Sequence, residues 1–239
     1  MRQQNHIAKI VLSLGLFICL GLNMNAYAGM FGFGGDSWKE EVLLHDGRKI
    51  IVERTVQRGG RREVGQQPPI KEQRLTFTMP GTKQQVVWED AFSQDIGTAN
   101  FLPMLLGIHN AMPYLVAYPM GCQSYNKWGR PNPPYVVFKY ENKQWNRIDL
   151  QALPEELKTP NLIFSMPDIE AKNTGKSIVS AKEINAIYAG YRQTEYRSIL
   201  RERMLNHADM ECEKVELYKG KWIRIGDPLA KQWVDSQQK

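Results

Sequence analysis

Apolar and polar residues alternate with a period of two along much of this chain, the signature of half-buried strands. Val42-Leu43-Leu44 and Lys49-Ile50-Ile51-Val52 flank Asp46-Gly47. An Asp-Gly pair between apolar runs predicts a hairpin, because glycine takes the positive φ that a tight turn demands. A second hairpin is expected from Leu75-Thr76-Phe77-Thr78 through Pro80-Gly81 to Gln85-Val86-Val87-Trp88, with Leu75, Phe77 and Met79 on one face. A third runs from Met104-Leu105-Leu106 across Asn110 to Tyr114-Leu115-Val116-Ala117-Tyr118, where Pro103 and Pro113 demand strand starts, edges or bulges. The fourth joins Tyr135-Val136-Val137-Phe138-Lys139-Tyr140 to Gln144-Trp145-Asn146-Arg147-Ile148, and the fifth joins Val215-Glu216-Leu217-Tyr218 to Lys221-Trp222-Ile223-Arg224-Ile225. These last two share the order Tyr, polar turn, Trp-x-Arg-Ile, which predicts a Tyr and a Trp on one sheet face with the arginines exposed.

One stretch departs from this pattern. Ser180-Ala181-Lys182-Glu183 is a capping box, and Ile184, Ile187, Tyr188 and Tyr191 follow at helical spacing. Gly190 and Arg192-Gln193-Thr194 predict a break, then a second helix carrying Tyr196, Ile199, Leu200 and Met204. Thr55 to Gly65 is rich in Arg and Gly and precedes Pro68-Pro69, which reads as a long exposed connection. The expected fold is mainly β, an antiparallel series of hairpins forming a barrel, a sandwich or propeller-like blades, with a helical segment around 180–206. Residues 41–239 are expected to form one such domain, preceded by a flexible lead-in at 29–40.

The N-terminus changes the picture from fold to address. Arg2 and Lys9 precede an apolar run from Ile10 to Leu22, and Ala26-Tyr27-Ala28 supplies a small-x-small cleavage site. Together these form a secretory signal peptide at 1–28 and imply a periplasmic or secreted protein. A spanning helix needs ~18 or more apolar residues, so an uncleaved membrane tether is the weaker alternative. Lipidation at Cys19 is disfavoured by Ile18 before it and by the apolar residues that continue after it. Of the net +6 over 239 residues, the signal contributes two positive charges, leaving a mildly basic remainder that does not demand a polyanionic partner. Cleavage also leaves two of the three cysteines, Cys122 and Cys212, and an even pair in an exported chain predicts a disulfide; two buried thiols are the alternative.

Catalytic signatures are missing: there is no G-x-S-x-G, H-E-x-x-H or C-x-x-C. Asn173-Thr174-Gly175-Lys176-Ser177 imitates the end of a phosphate loop, but Glu170 stands where the first glycine belongs. His45 reads as a solvated turn residue, His207, Asp209, Glu211 and Glu213 as a weak metal pattern, and His109 with Cys122 as a weak base–nucleophile pair. Arg58-Gly59-Gly60-Arg61-Arg62 reads as a basic loop rather than a nucleic-acid segment. No catalytic residue, metal, cofactor or nucleic-acid partner is expected.

The segment from Cys122 to Tyr135 stands out. It sets Tyr125, Trp128 and Tyr135 beside Asn126, Lys127, Arg130 and Asn132 in a stretch stiffened by three prolines. Rigid exposed rings with amide and guanidinium donors suit a sugar- or peptide-binding surface, with Tyr125, Trp128, Arg130 and Tyr135 as the candidate contacts. The competing reading has Trp128 and the tyrosines plugging the end of a β-core. The run S-Y-N-K-W-G-R-P-N-P-P-Y-V-V-F-K-Y at 124–140, with E-V-L-L-H-D-G-R-K-I-I-V at 41–52, resembles a group of uncharacterised exported proteins of Gram-negative bacteria. That resemblance covers most of the mature chain and implies a bacterial envelope address, with no catalytic residues to carry over.

The expected function is therefore recognition of a glycan, peptide or protein partner in the envelope. The alternatives are an extracytoplasmic hydrolase working through two carboxylates, for which Glu89 and Asp90 are candidates, and a membrane-tethered scaffold.

Overall fold

A computed structural model describes residues 35–60, 65–205 and 211–237. The expected signal segment 1–28, and Gly29 to Gly34 after it, lie outside the described residues, as do residues 61–64, 206–210 and 238–239. Eleven strands are present among the described residues: β1 (Asp36–Leu43), β2 (Lys49–Arg58), β3 (Ile70–Thr78), β4 (Gln85–Asp90), β5 (Phe101–His109), β6 (Met112–Pro119), β7 (Val136–Glu141), β8 (Gln144–Ile148), β9 (Ile178–Val179), β10 (Val215–Tyr218) and β11 (Lys221–Arg224). The helices are α1 (Gly121–Lys127), α2 (Pro167–Asn173), α3 (Ala181–Ala189), α4 (Thr194–Arg197) and α5 (Pro228–Ser236), with a 3-10 turn at Leu150–Ala152.

All five expected hairpins form. The strands assemble into a five-stranded sheet ordered β4-β3-β2-β1-β9, a four-stranded sheet β5-β6-β7-β8 and the ribbon β10-β11. Pairing is antiparallel throughout except for the short parallel match of β1 with β9. No barrel closes. One core gathers the inward faces of the two larger sheets: Val42, Val52, Leu75, Phe77 and Trp88 from the first, Phe101, Leu106, Leu115 and Phe138 from the second. The opposite face of the four-stranded sheet, through Met104, Leu105, Val116 and Val137, packs on Leu157, Ile163, Phe164, Ile184, Tyr188 and Ile199 from the helical part. The four-stranded sheet is thus covered on both sides, which is why β5 and β6 are apolar without alternation.

A β-bulge at Pro103 to Leu105 sets the phase of β5 and accommodates the proline. It also frees the Met104 carbonyl, which accepts from Asn161 N (3.0 Å), Leu162 N (3.1 Å) and the Tyr188 hydroxyl (3.2 Å). The Asn161 amide completes the junction. Its Oδ1 accepts from Leu106 N at 2.8 Å, and its Nδ2 donates to the carbonyls of Leu106 (2.9 Å) and Leu43 (3.0 Å). One side chain therefore serves backbone groups of both larger sheets.

Several expectations are corrected. Residues 36–40 are strand rather than lead-in, since Lys39 and Glu40 pair on both sides, with β2 and β9. β2 runs to Arg58, so Thr55 to Arg58 is not an exposed connection, and Arg58 is held by a bidentate pair with Asp168 at 2.7 and 2.6 Å. The capping box of α3 forms as read, with Ser180 and Glu183 bonded reciprocally. The second helix is only the four residues of α4, because the Tyr135 hydroxyl takes the carbonyls of Glu195 and Ser198 and Ile199 turns in to bond the Lys158 carbonyl. The paired Tyr/Trp design holds once: Tyr140 lies opposite Trp145 with centroids 5.2 Å apart. In the last ribbon the missing residue shifts the phase, so Trp222 lies opposite Leu217 and Tyr218 opposite Lys221, on the other face.

Candidate functional site

The Cys122 to Tyr135 segment is more ordered and more internal than its composition implies. Cys122 and Cys212 are joined (S–S 2.06 Å, Cα–Cα 5.3 Å), which ends any role for Cys122 as a nucleophile. Residues 121–127 form α1, which closes in a Schellman motif: Gly129 N bonds the Asn126 carbonyl (3.1 Å) and Arg130 N the Tyr125 carbonyl (2.8 Å). Gly129 takes φ 86°, the left-handed conformation this cap requires. The signal for this helix end was present in the order Trp128-Gly129-Arg130-Pro131, a C′ glycine followed by proline.

The expected exposure of the rings is corrected accordingly. Tyr125 is fully buried, and Arg130 lies over its ring at 4.9 Å. Arg130 also donates to Asn126 Oδ1 (3.0 Å) and to the carbonyls of Cys212 (2.9 Å) and Glu213 (3.3 Å), clamping the strand entry beyond the disulfide onto α1. Tyr135 is buried too, and burial pushes its hydroxyl pKa upward. These three residues hold the fold together because the loop covers one end of the β-core, and backbone carbonyls there need donors.

Trp128 is different. It is half-buried, its Nε1 donates to Asn100 Oδ1 at 3.2 Å, and it packs on Phe101 with centroids 4.6 Å apart. It lines a surface groove of about 390 Å³ whose other aromatic lining residues are Trp88, Phe92, Phe101, Phe138 and Trp145. Trp145 sends its Nε1 inward to the Val87 carbonyl at 2.8 Å, and Phe92 keeps 40% of its surface exposed. With their indole N–H groups bonded inside the protein, Trp128 and Trp145 present ring surface to the groove. Arg147 reaches over Trp128 at 5.5 Å and Lys71 over Phe92 at 5.6 Å, so cationic groups border the rings.

Glu89 and Asp90 both border this groove, but neighbours on a strand face opposite sides. Asp90 is turned inward and accepts from Asn100 N (2.7 Å), Phe101 N (2.7 Å), Asn100 Nδ2 (2.8 Å) and Gln73 Nε2 (3.3 Å). Burial raises its pKa against the pull of those four donors. Glu89 is half-exposed and ion-paired with Arg74. The two carboxylates therefore do not face each other across a substrate position.

Three further side chains converge elsewhere. His45 in the β1–β2 turn, His109 at the end of β5 and Glu156 after the 3-10 turn bring ligand-type atoms within 4.8 Å of one another. His109 is thus paired with Glu156 rather than with Cys122. Of the acidic run after α4, Glu213 pairs with Arg224 at 2.8 Å, while His207 and Asp209 lie outside the described residues. Among the described residues no helix is long and apolar enough to cross a membrane. No protein-family model matches the chain, and no match is found for it among the curated proteins or the solved structures.

Proposed function

We propose that this is an exported binding protein of the bacterial envelope or its exterior, and that the groove walled by Trp88, Phe92, Trp128 and Trp145 takes a short stretch of glycan. The observation that carries the reading is the groove itself: six aromatic residues around about 390 Å³, with the Trp128 and Trp145 indole N–H groups bonded inside the protein. Sugar rings present C–H faces that stack on such walls, and rings already fixed by packing lose little entropy on binding. Glu89, half-exposed at the rim, offers acceptor oxygens to sugar hydroxyls. Export is supported by the signal-type N-terminus, by the Cys122–Cys212 bridge and by the resemblance carried on 41–52 and 124–140. The inward turn of Asp90 favours binding over hydrolysis by the Glu89/Asp90 pair.

The test is titration of soluble envelope oligosaccharides, peptidoglycan fragments first, followed by intrinsic tryptophan fluorescence and calorimetry. Wild type should bind saturably, and Phe92→Ala or Trp145→Ala should weaken binding with the melting temperature of Phe92→Ala unchanged. Equal binding by both variants would remove the groove from the function.

A further inference from the structure

We propose that His45, His109 and Glu156 form a binding site for a divalent transition-metal ion, zinc being the ion that fits best. The three residues come from segments far apart in sequence: the tip of the β1–β2 hairpin, the last position of β5, and the connection that follows β8. Their ligand-type atoms lie within 4.8 Å of one another, and the two imidazole rings stand 6.1 Å apart between centroids. Bonds to zinc of about 2.0–2.1 Å place neighbouring ligand atoms about 3.3 Å apart in a tetrahedron, so the set closes with small side-chain rotations.

The chemistry of the donors narrows the ion. Two imidazoles and one carboxylate suit zinc, copper(II) or nickel(II), whereas calcium and magnesium prefer oxygen alone. Three protein ligands leave a position for water or an exogenous ligand. His45 and Glu156 also line a neighbouring cleft of about 410 Å³, whose walls include Leu43, Leu105 and Leu157. That cleft gives an exogenous ligand room beside the ion.

The same geometry explains what holds the residues ready. His109 directly precedes the tight β5–β6 turn, where Asn110 and Ala111 take φ 48° and 59°. Its Nδ1 contacts the Glu156 carboxylate and its Nε2 meets Asn110 Nδ2 at 2.8 Å. Entry of the ion replaces the His109–Glu156 contact: the ring takes the tautomer with its proton on Nε2, the Asn110 amide turns its oxygen to accept that N–H, and the lone pairs of Nδ1 and of a Glu156 oxygen become metal bonds. His45 belongs to the five-stranded sheet's hairpin and His109 to the four-stranded sheet, so the ion bridges the tips of two sheets.

The test uses the intact chain purified in chelator and then freed of it. Zinc chloride is titrated by calorimetry, with calcium chloride as the control, and melting is recorded with and without zinc. One equivalent of zinc should bind and raise the melting temperature, and calcium should do neither. His45→Ala, exposed and free to be removed without loss of packing, should weaken zinc binding about tenfold or more, as should His109→Ala and Glu156→Gln. His207→Ala should leave it unchanged. Absence of saturable zinc binding by wild type overturns the proposal. So does binding that survives His45→Ala and His109→Ala, or that is lost only on His207→Ala.

Discussion

Arg54 Nη1 and Glu40 Oε1 lie 3.0 Å apart in the interior, with side chains 1% and 0% exposed. Glu40 Oε1 also accepts from Trp38 Nε1 (2.7 Å), and its Oε2 accepts from Ile163 N (3.1 Å). Arg54 donates to the Ile163 carbonyl and faces the Trp38 ring at 5.1 Å. An ion pair within the five-stranded sheet thus fixes the segment that carries Asn161 to Phe164 on the sheet's inner face. Glu40→Gln keeps the shape and strands the buried guanidinium charge. Breaking one side of such a pair costs about 3–5 kcal/mol, so the variant should unfold at much lower urea than wild type. A loss within experimental error would mean that Arg54 finds another counter-charge.

Asn161 tests the same junction without a charge. Its amide is the partner of Leu106 N, Leu106 O and Leu43 O. Asn161→Ala leaves those buried backbone groups unpaired, at about 1–3 kcal/mol per group before water relaxes the site. Hydrogen exchange should rise first at the Leu106 amide. Unchanged protection there would contradict the bonding described.

Acid sensitivity should run through Asp168. Burial pushes its pKa up, but the side-chain bonds and charge of Arg58 outweigh burial and hold it below the ordinary 3.8. A depressed folded-state pKa means the unfolded chain binds the proton more readily. The pair's contribution is therefore complete above the unfolded-state value, about 4, and fades as pH falls through the folded value. Asp168→Asn should lower stability at neutral pH, and the gap to wild type should narrow below pH about 4. A gap constant from neutral to acid would assign the effect to packing.

The β5–β6 turn offers a gain. Asn110 and Ala111 both take positive φ, as a type I′ turn requires, and alanine holds that conformation at a cost. Ala111→Gly gives the Asn-Gly pair such turns prefer and should raise stability by about 0.5–1 kcal/mol, read as a higher urea midpoint at constant slope. A lower midpoint would show that the added freedom of the unfolded chain outweighs the relief.

Reduction of Cys122–Cys212 releases a closure of sequence separation 90, which chain entropy values at about 4–5 kcal/mol. Thiols should react with an alkylating reagent only after reduction, and the reduced protein should melt earlier. Alkylation without reduction would contradict the bridge.

The hairpins were legible because each states its own turn: Gly47 and Gly81 take the positive φ that Asp-Gly and Pro-Gly announce, and Lys219-Gly220 does the same between β10 and β11. The Ser180/Glu183 cap was legible for the same local reason. What was not legible depends on distance along the chain. Whether Arg130 and Tyr135 face water or core is decided by Glu195, Ser198 and Cys212, remote partners that composition does not name. The groove needs Phe92 and Trp145 beside Trp128, and the convergence of His45, His109 and Glu156 needs three segments far apart in sequence. The two-residue β9 carries too little pattern to announce a parallel partner for β1.

Strand β5 begins in one wall of the aromatic groove, at Phe101, and ends at His109. Between them the bulge puts Met104 and Leu105 on the same side, so that Phe101, Leu106 and Ile108 all reach the core between the sheets. Deleting Met104 would restore simple alternation with Phe101, Leu106 and Ile108 still on one face, and would cost the carbonyl that Asn161, Leu162 and Tyr188 share. The same nine residues without a bulge would turn Leu106 and Ile108 out of their core and His109 away from Glu156. One unpaired residue thus keeps the groove at one end of the strand in phase with the histidine at the other.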